Sequence, residues 1–122
     1  MASETDFSVY WLGRWAVLTL PGEIDATNSP GLRETLLAII SQQPAEVIVD
    51  MTATTFCDSS AMAAIVHAYR QALAAGAGMR LVIKHPGARR VFELAGIGTV
   101  IGVYPDLPAA LSELPIPSAD AR

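Results

Sequence analysis

The chain has 122 residues, 52% of them hydrophobic and 16% charged, with one cysteine. That is one ordinary domain with enough apolar side chains to bury a core, which excludes global disorder. Twelve acidic residues against eight basic ones give a formal net charge of −4, and this balance argues against nucleic acid and anionic lipid as partners, since both call for a basic face.

Residues 1–6 are polar, show no signal peptide and read as a flexible start to a domain spanning 7–114. Phe7–Leu12 and Arg14–Leu20 read as two strands, and Gly13-Arg14 between them fits the Gly-X pattern of a tight hairpin turn. Trp11 and Trp15 bracket that turn, and whether they share a face depends on its offset. Pro21-Gly22 ends the second strand. Ser29-Pro30 offers a cap followed by proline at the first helical position, and Leu32, Leu36, Ile39 and Ile40 recur at helical spacing, which predicts a helix over 30–42.

The β-branched run 46–50 has continuous rather than alternating hydrophobicity and predicts a strand buried on both faces. The turn segment 52–57 follows. Asp58 then caps a second helix whose expected apolar face is Met62, Ile65, Val66, Tyr69 and Leu73, stopped by Gly76 and Gly78. Residues 79–83 predict another buried strand. Pro86 opens a helix over 87–95 that ends at Gly96, residues 100–104 predict a fifth strand, and 106–114 a last short helix before a flexible tail over 115–122. The order ββαβαβαβα predicts an α/β fold with a single mixed, largely parallel sheet flanked by helices.

Catalytic signatures are absent from the sequence. The glycine pairs 76/78 and 96/98 complete no G-x-G-x-x-G, and no P-loop or G-x-S-x-G elbow occurs. His67 and His85 fall in different elements and Cys57 has no partner at metal spacing, so neither metal nor cofactor is expected. The apolar runs are far shorter than the ~20 residues a membrane helix needs. A lone cysteine allows no internal disulfide, and a reducing, cytoplasmic compartment fits best. The mean hydropathy of +0.38 with so few charges suggests an apolar patch of surface for a partner.

Two spots stand out: Gly22-Glu23-Ile24-Asp25 after the second strand, and Cys57-Asp58-Ser59-Ser60 before the second helix. Functional loops of parallel sheets gather at the carboxyl ends of strands, so neighbouring strands would bring the two together. Plain helix capping accounts for Asp58-Ser59-Ser60, and a solvated turn accounts for Glu23 and Asp25. The same geometry serves a switch. Ser59, first in the helix, would present its hydroxyl to a kinase. A phosphate there would meet the positive end of the helix dipole but add ~1.5–2 negative charges beside Asp58.

With these residues in view, the chain resembles the STAS-domain anti-sigma factor antagonists of bacteria over roughly 8–114. Leu20-Pro21-Gly22-Glu23-Ile24-Asp25 is similar to the family's G-E-[LI]-D turn. Residues 47–60, VIVDMTATTFCDSS, are similar to its strand, F-x-D-S-[ST] motif and helix start. Residues 89–97, RRVFELAGI, are similar to its R-x-[LF]-x-x-x-G-[LI] helix and turn. The separation of Asp25 and Asp58, 33 residues, suits one helix and one strand between them.

The resemblance implies partner switching. The unphosphorylated protein would bind an anti-sigma factor that is a GHKL-type serine kinase and so free a sigma factor. Phosphorylation of Ser59 would end that binding, and a PP2C-type phosphatase would restore it. Glu23, Asp25, Asp58, Ser59, Ser60 and Met62 would form the partner-binding surface of a protein that is a kinase substrate and not an enzyme. Ser60 is a second possible acceptor. Ala61-Met62 stands where the family commonly has Gly-Leu, which bears on kinase docking. The alternative keeps the fold and drops the switch, giving a scaffold of a stressosome-like assembly or a transporter-associated subunit. Cys57 reads as a small buried apolar residue.

Overall fold

The structure, a computed structural model, describes residues 7–112. The elements are β1 (Ser8–Leu12), β2 (Trp15–Thr19), β3 (Glu23–Ile24), α1 (Ser29–Ile40), β4 (Glu46–Met51), β5 (Phe56–Cys57), α2 (Ser59–Ala74), β6 (Gly78–Ile83), α3 (Pro86–Leu94), β7 (Gly102–Tyr104) and α4 (Leu107–Leu111). Five strands form one mixed sheet in the order β1-β2-β4-β6-β7, antiparallel only between β1 and β2. The α/β architecture and the largely parallel sheet follow the expected pattern. Among the described residues no helix is long and apolar enough to cross a membrane.

Strand alternation sorts the core into two layers. Ala16, Leu18, Val47, Val49, Met51, Leu81 and Ile83 meet α1, α2 and α3 on one face of the sheet. Trp15, Val17, Ile48 and Val82 meet α4 on the other, around Ala110. β4 is therefore buried on both faces, as its β-branched run predicts. On the α4 face the Arg80 guanidinium lies 4.5 Å from the Trp15 ring centroid, 3.4 Å from Glu46 and 2.9 Å from the Ala110 carbonyl, to which it donates. The turn offset separates the two tryptophans. Trp11 pairs with Ala16 and faces the helices, while Trp15, opposite Leu12, faces α4.

Several sequence expectations need correction. The N-cap of α1 is Asn28 rather than Ser29. Ser29 is the first helical residue and Pro30 the second, a position where a missing N–H is still harmless. The buried stripe of α2 is Ala61, Ala64, Ile65, Ala68 and Ala72, about one position round from the expected face, with Leu73 53% exposed. Small side chains let α2 approach the sheet and α1 closely, and the larger Met62, Val66 and Tyr69 sit at the margin of that seam. Residues 97–99 form a 3₁₀ turn after left-handed Gly96, so the last strand begins at Gly102 rather than at residue 100. The α4 helix is short and capped by Asp106. The segment 52–57, expected as a turn, contains β5. The expected flexible ends 1–6 and 115–122 lie outside the described residues.

The corrected α2 face has a measurable consequence. Ile65→Ala should cost about 2–5 kcal/mol by emptying the seam, whereas Leu73→Ser should stay within about 0.5 kcal/mol in urea denaturation. Equal losses would contradict the assignment.

Candidate functional site

β2 and β4 are parallel neighbours, so their carboxyl ends meet at one edge of the sheet, where the Leu20 N–H donates to the Asp50 carbonyl at 3.0 Å. Both chains then leave the sheet and pair again. Glu23 and Ile24 run parallel to Phe56 and Cys57, and the Asp58 N–H donates to the Ile24 carbonyl at 3.2 Å. The Thr54 hydroxyl, fully buried, donates to the Pro21 carbonyl at 2.7 Å. The Thr55 N–H donates to the Gly22 carbonyl at 2.8 Å. These bonds fasten the two acidic turns side by side.

Each turn is also organised within itself. Asp58, in extended conformation, accepts from the Ser60 and Ala61 N–H groups at 2.9 and 3.2 Å and from the Ser60 hydroxyl at 2.5 Å. It is the expected cap of α2. The Asp25 carboxylate accepts from the N–H and hydroxyl of Thr27. Its backbone carbonyl accepts from the Asn28 and Ser29 N–H groups, which turns the chain into α1. The Asn28 side chain bridges the turn, accepting from the Asp25 N–H and donating to the Glu23 carbonyl, both at 2.9 Å.

The serines differ in kind. Ser60 is half-buried and its hydroxyl is spent on Asp58, whereas Ser59 is exposed and its hydroxyl donates to no described residue. Glu23 is exposed, and Asp25, Asp58 and Met62 are half-buried. Glu23, Asp25, Asp58, Ser59 and Ser60 thus meet at one end of the sheet. Met62 lies on the first turn of α2 but packs partly against the core, so only part of its side chain faces outward. Ala61 is fully buried, its methyl group inside the seam.

The hydrogen bonds set the charges. Asp58 is held below the ordinary carboxylate value first by the Ser60 hydroxyl, with burial opposing and the Ala61 and Ser60 N–H groups assisting. Asp25 is lowered first by the Thr27 hydroxyl and then by its N–H, against burial and the nearby negative charge of Asp58. Both carboxylates are therefore ionised at neutral pH despite their proximity. Burial, then Asp58, pushes the Cys57 thiol up, and the side chain is buried, as expected of a packing residue.

Sequence reasoning missed the β3–β5 ladder, Thr54, and the Thr27-Asn28 pair that shapes the first turn. Asp25-Ala26-Thr27-Asn28 carries the composition of an Asx turn, and that signal was legible. It also missed that Phe56, beside the serines, is 51% exposed.

The STAS domain model matches residues 7–110. The chain belongs to the STAS domain family. A curated relative, the Mycobacterium tuberculosis protein Rv2638, named as an anti-anti-sigma factor, is 32% identical over 94 residues. That match covers 75% of this chain and 64% of the relative, so this STAS domain spans a little under two-thirds of its length. An anti-sigma factor antagonist from Mycobacterium paratuberculosis has the same fold, with a TM-score of 0.81 at 24% identity over 87% of this chain and 90% of that one. The Bacillus cell-fate determinant SpoIIAA in its phosphorylated form gives a TM-score of 0.70 at 22% identity over 89% and 99%. Its unphosphorylated form gives 0.69 at 20% over 88% and 94%.

The Ser60–Asp58 bond makes a titration prediction. Ser60→Ala should raise the Asp58 pKa toward the ordinary value of 3.8, followed by NMR pH titration of the carboxylate. Because the folded pKa is depressed, the stabilisation is present above the unfolded value and is lost as pH falls through the folded one. The variant should therefore lose stability at neutral pH and very little at the acid end. An unchanged Asp58 pKa would show that the N–H groups alone hold it.

Proposed function

We propose that this STAS domain is an anti-sigma factor antagonist switched by phosphorylation of Ser59. The observation that carries the reading is the contrast between the serines. Of the two serines, Ser59 is the one whose exposed hydroxyl at the helix start bonds to no described residue, beside two carboxylates that stay ionised. The relatives' names support the antagonist role, and SpoIIAA, solved with and without phosphate on the same fold, supports the switch.

In the unphosphorylated state the surface formed by Glu23, Asp25, Asp58, Ser59 and the outward part of Met62 docks on the anti-sigma factor, a GHKL-type serine kinase, which then releases its sigma factor. The kinase transfers the terminal phosphoryl group of ATP to the Ser59 oxygen: the new P–O bond forms as the bond to the bridging oxygen breaks, ADP leaves, and the hydroxyl proton passes to a base of the kinase. The product carries ~1.5–2 further negative charges next to Asp58 and Asp25. A partner surface shaped for a neutral hydroxyl would then have to desolvate an unpaired dianion, which costs several kcal/mol and is enough to separate the pair. A PP2C-type phosphatase resets the surface by hydrolysis. The chain is the substrate in this cycle and supplies no catalytic group. Its place of action is the cytoplasm, where sigma factors work.

The test is a paired pull-down from lysate of the source organism with Ser59→Ala and Ser59→Asp baits, read by mass spectrometry, with the enzymatically phosphorylated chain as a third bait. A GHKL-type kinase should be retained by the alanine bait, weakened on the aspartate bait, which carries about one charge, and lost from the phosphorylated chain. Identical partners on all three baits would reduce Ser59 to a helix-start residue and leave the scaffold role in its place.

A further inference from the structure

The edge strand β1 is built unlike a protected edge. It pairs with β2 on one side and, among the described residues, has no strand on the other. Its residues Val9, Tyr10, Trp11 and Leu12 are 39%, 42%, 37% and 37% exposed. Ser8–Leu12 contains no charge and no proline, the usual devices that keep an edge from pairing.

The hairpin decides which backbone groups are free. With Gly13-Arg14 as a two-residue turn, Leu12 and Trp15 flank it and face each other as a hydrogen-bonded pair. By alternation Ser8, Tyr10 and Leu12 direct their N–H and C=O groups to β2, and Val9 and Trp11 direct theirs outward. The side chains alternate independently. Val9 and Trp11 lie on the helix face, opposite Leu18 and Ala16, while Tyr10 and Leu12 lie on the α4 face, opposite Val17 and Trp15.

We propose that β1 pairs antiparallel with β1 of a second copy about a two-fold axis at Tyr10, joining two five-stranded sheets into one. The strand is complementary to itself in this register. Val9 meets Trp11 of the partner copy twice, with the four outward N–H and four outward polar partners of the two strands closing on each other as hydrogen-bonded pairs. Tyr10 meets its own copy as the closer, non-hydrogen-bonded pair, which brings the two rings together. Apolar groups then meet apolar groups on both faces. No residue of Ser8–Leu12 carries a charge, so this register sets no like charges of the two strands against each other. The axis passes through the middle of β1, away from the carboxyl ends of β2 and β4, so both acidic turns stay open in the dimer. The proposal does not rest on the phosphorylation reading.

Sedimentation velocity of the full chain over a concentration series tests it, with Tyr10→Lys as the disrupting variant and its thermal melt as the fold control. Mass should rise toward the dimer in the wild type and remain that of a monomer in Tyr10→Lys, where like charges stand directly opposed. Cross-linking fixes the register. Non-hydrogen-bonded pairs place their Cβ atoms near disulfide range, so Tyr10→Cys should oxidise to a covalent dimer while Leu12→Cys, remote from its own copy, should not. In wild-type hydrogen exchange the Val9 and Trp11 amides should gain protection with concentration. A chain monomeric at every concentration overturns the proposal. So does a monomer whose Val9 and Trp11 amides are protected, because its own terminal segment then covers the edge. Equal cross-linking at positions 10 and 12 also overturns it.

Discussion

A parallel ladder two residues long, Glu23 and Ile24 against Phe56 and Cys57, fixes where the polar groups of the candidate site stand. It exists because β2 and β4 are parallel neighbours that end level with one another. Remove the ladder and the two acidic turns become separate loops, each with its own cap. With it, Ile24 and Cys57 point into the core, Asp25 and Asp58 follow at the same level, and the first residue of α2 is held beside the entry to α1. The buried Thr54 hydroxyl, donating to the Pro21 carbonyl, adds a polar tie between the two turns.

This arrangement gives the surface a division of labour. Asp58 spends its carboxylate on the Ser60 and Ala61 N–H groups and on the Ser60 hydroxyl, so the cap is complete without Ser59. A group added to the Ser59 hydroxyl therefore breaks no bond among the described residues. The proposed switch needs only a change of charge on a rigid platform. Rigidity is favoured by the close seam of alanines under α2, since packed interiors resist continuous deformation.

The sequence made the platform legible in outline and left its detail hidden. β4 announced itself through a continuous β-branched run, and Asp58 through the preference of helix starts for short acceptors. The α2 face was misread because alanine carries little weight in a hydrophobic pattern, although in close helix packing the smallest side chains are the ones buried. The β3–β5 ladder was invisible because two residues carry no periodicity. Its partners lie 33 positions apart, and only the tertiary fold brings them together. Asn28 displaced Ser29 as the cap because the Asp25 carbonyl accepts from the N–H groups of both, closing the turn one residue earlier. The helix start marks Ser59 as a surface hydroxyl in the sequence, the family resemblance adds the kinase and phosphatase, and the structure adds that the hydroxyl bonds to no described residue.

The proposed phosphate on Ser59 changes the charge of this surface and leaves its frame in place. The most direct measurement is an amide NMR comparison of the chain before and after stoichiometric phosphorylation at Ser59. Shifts should be confined to the two turns and the first turn of α2, residues 23–28 and 56–63, with the amides of β2, β4 and β6 unmoved. Shifts spreading through those strands would show that the fold itself rearranges, and a charge switch on a fixed platform would be the wrong description.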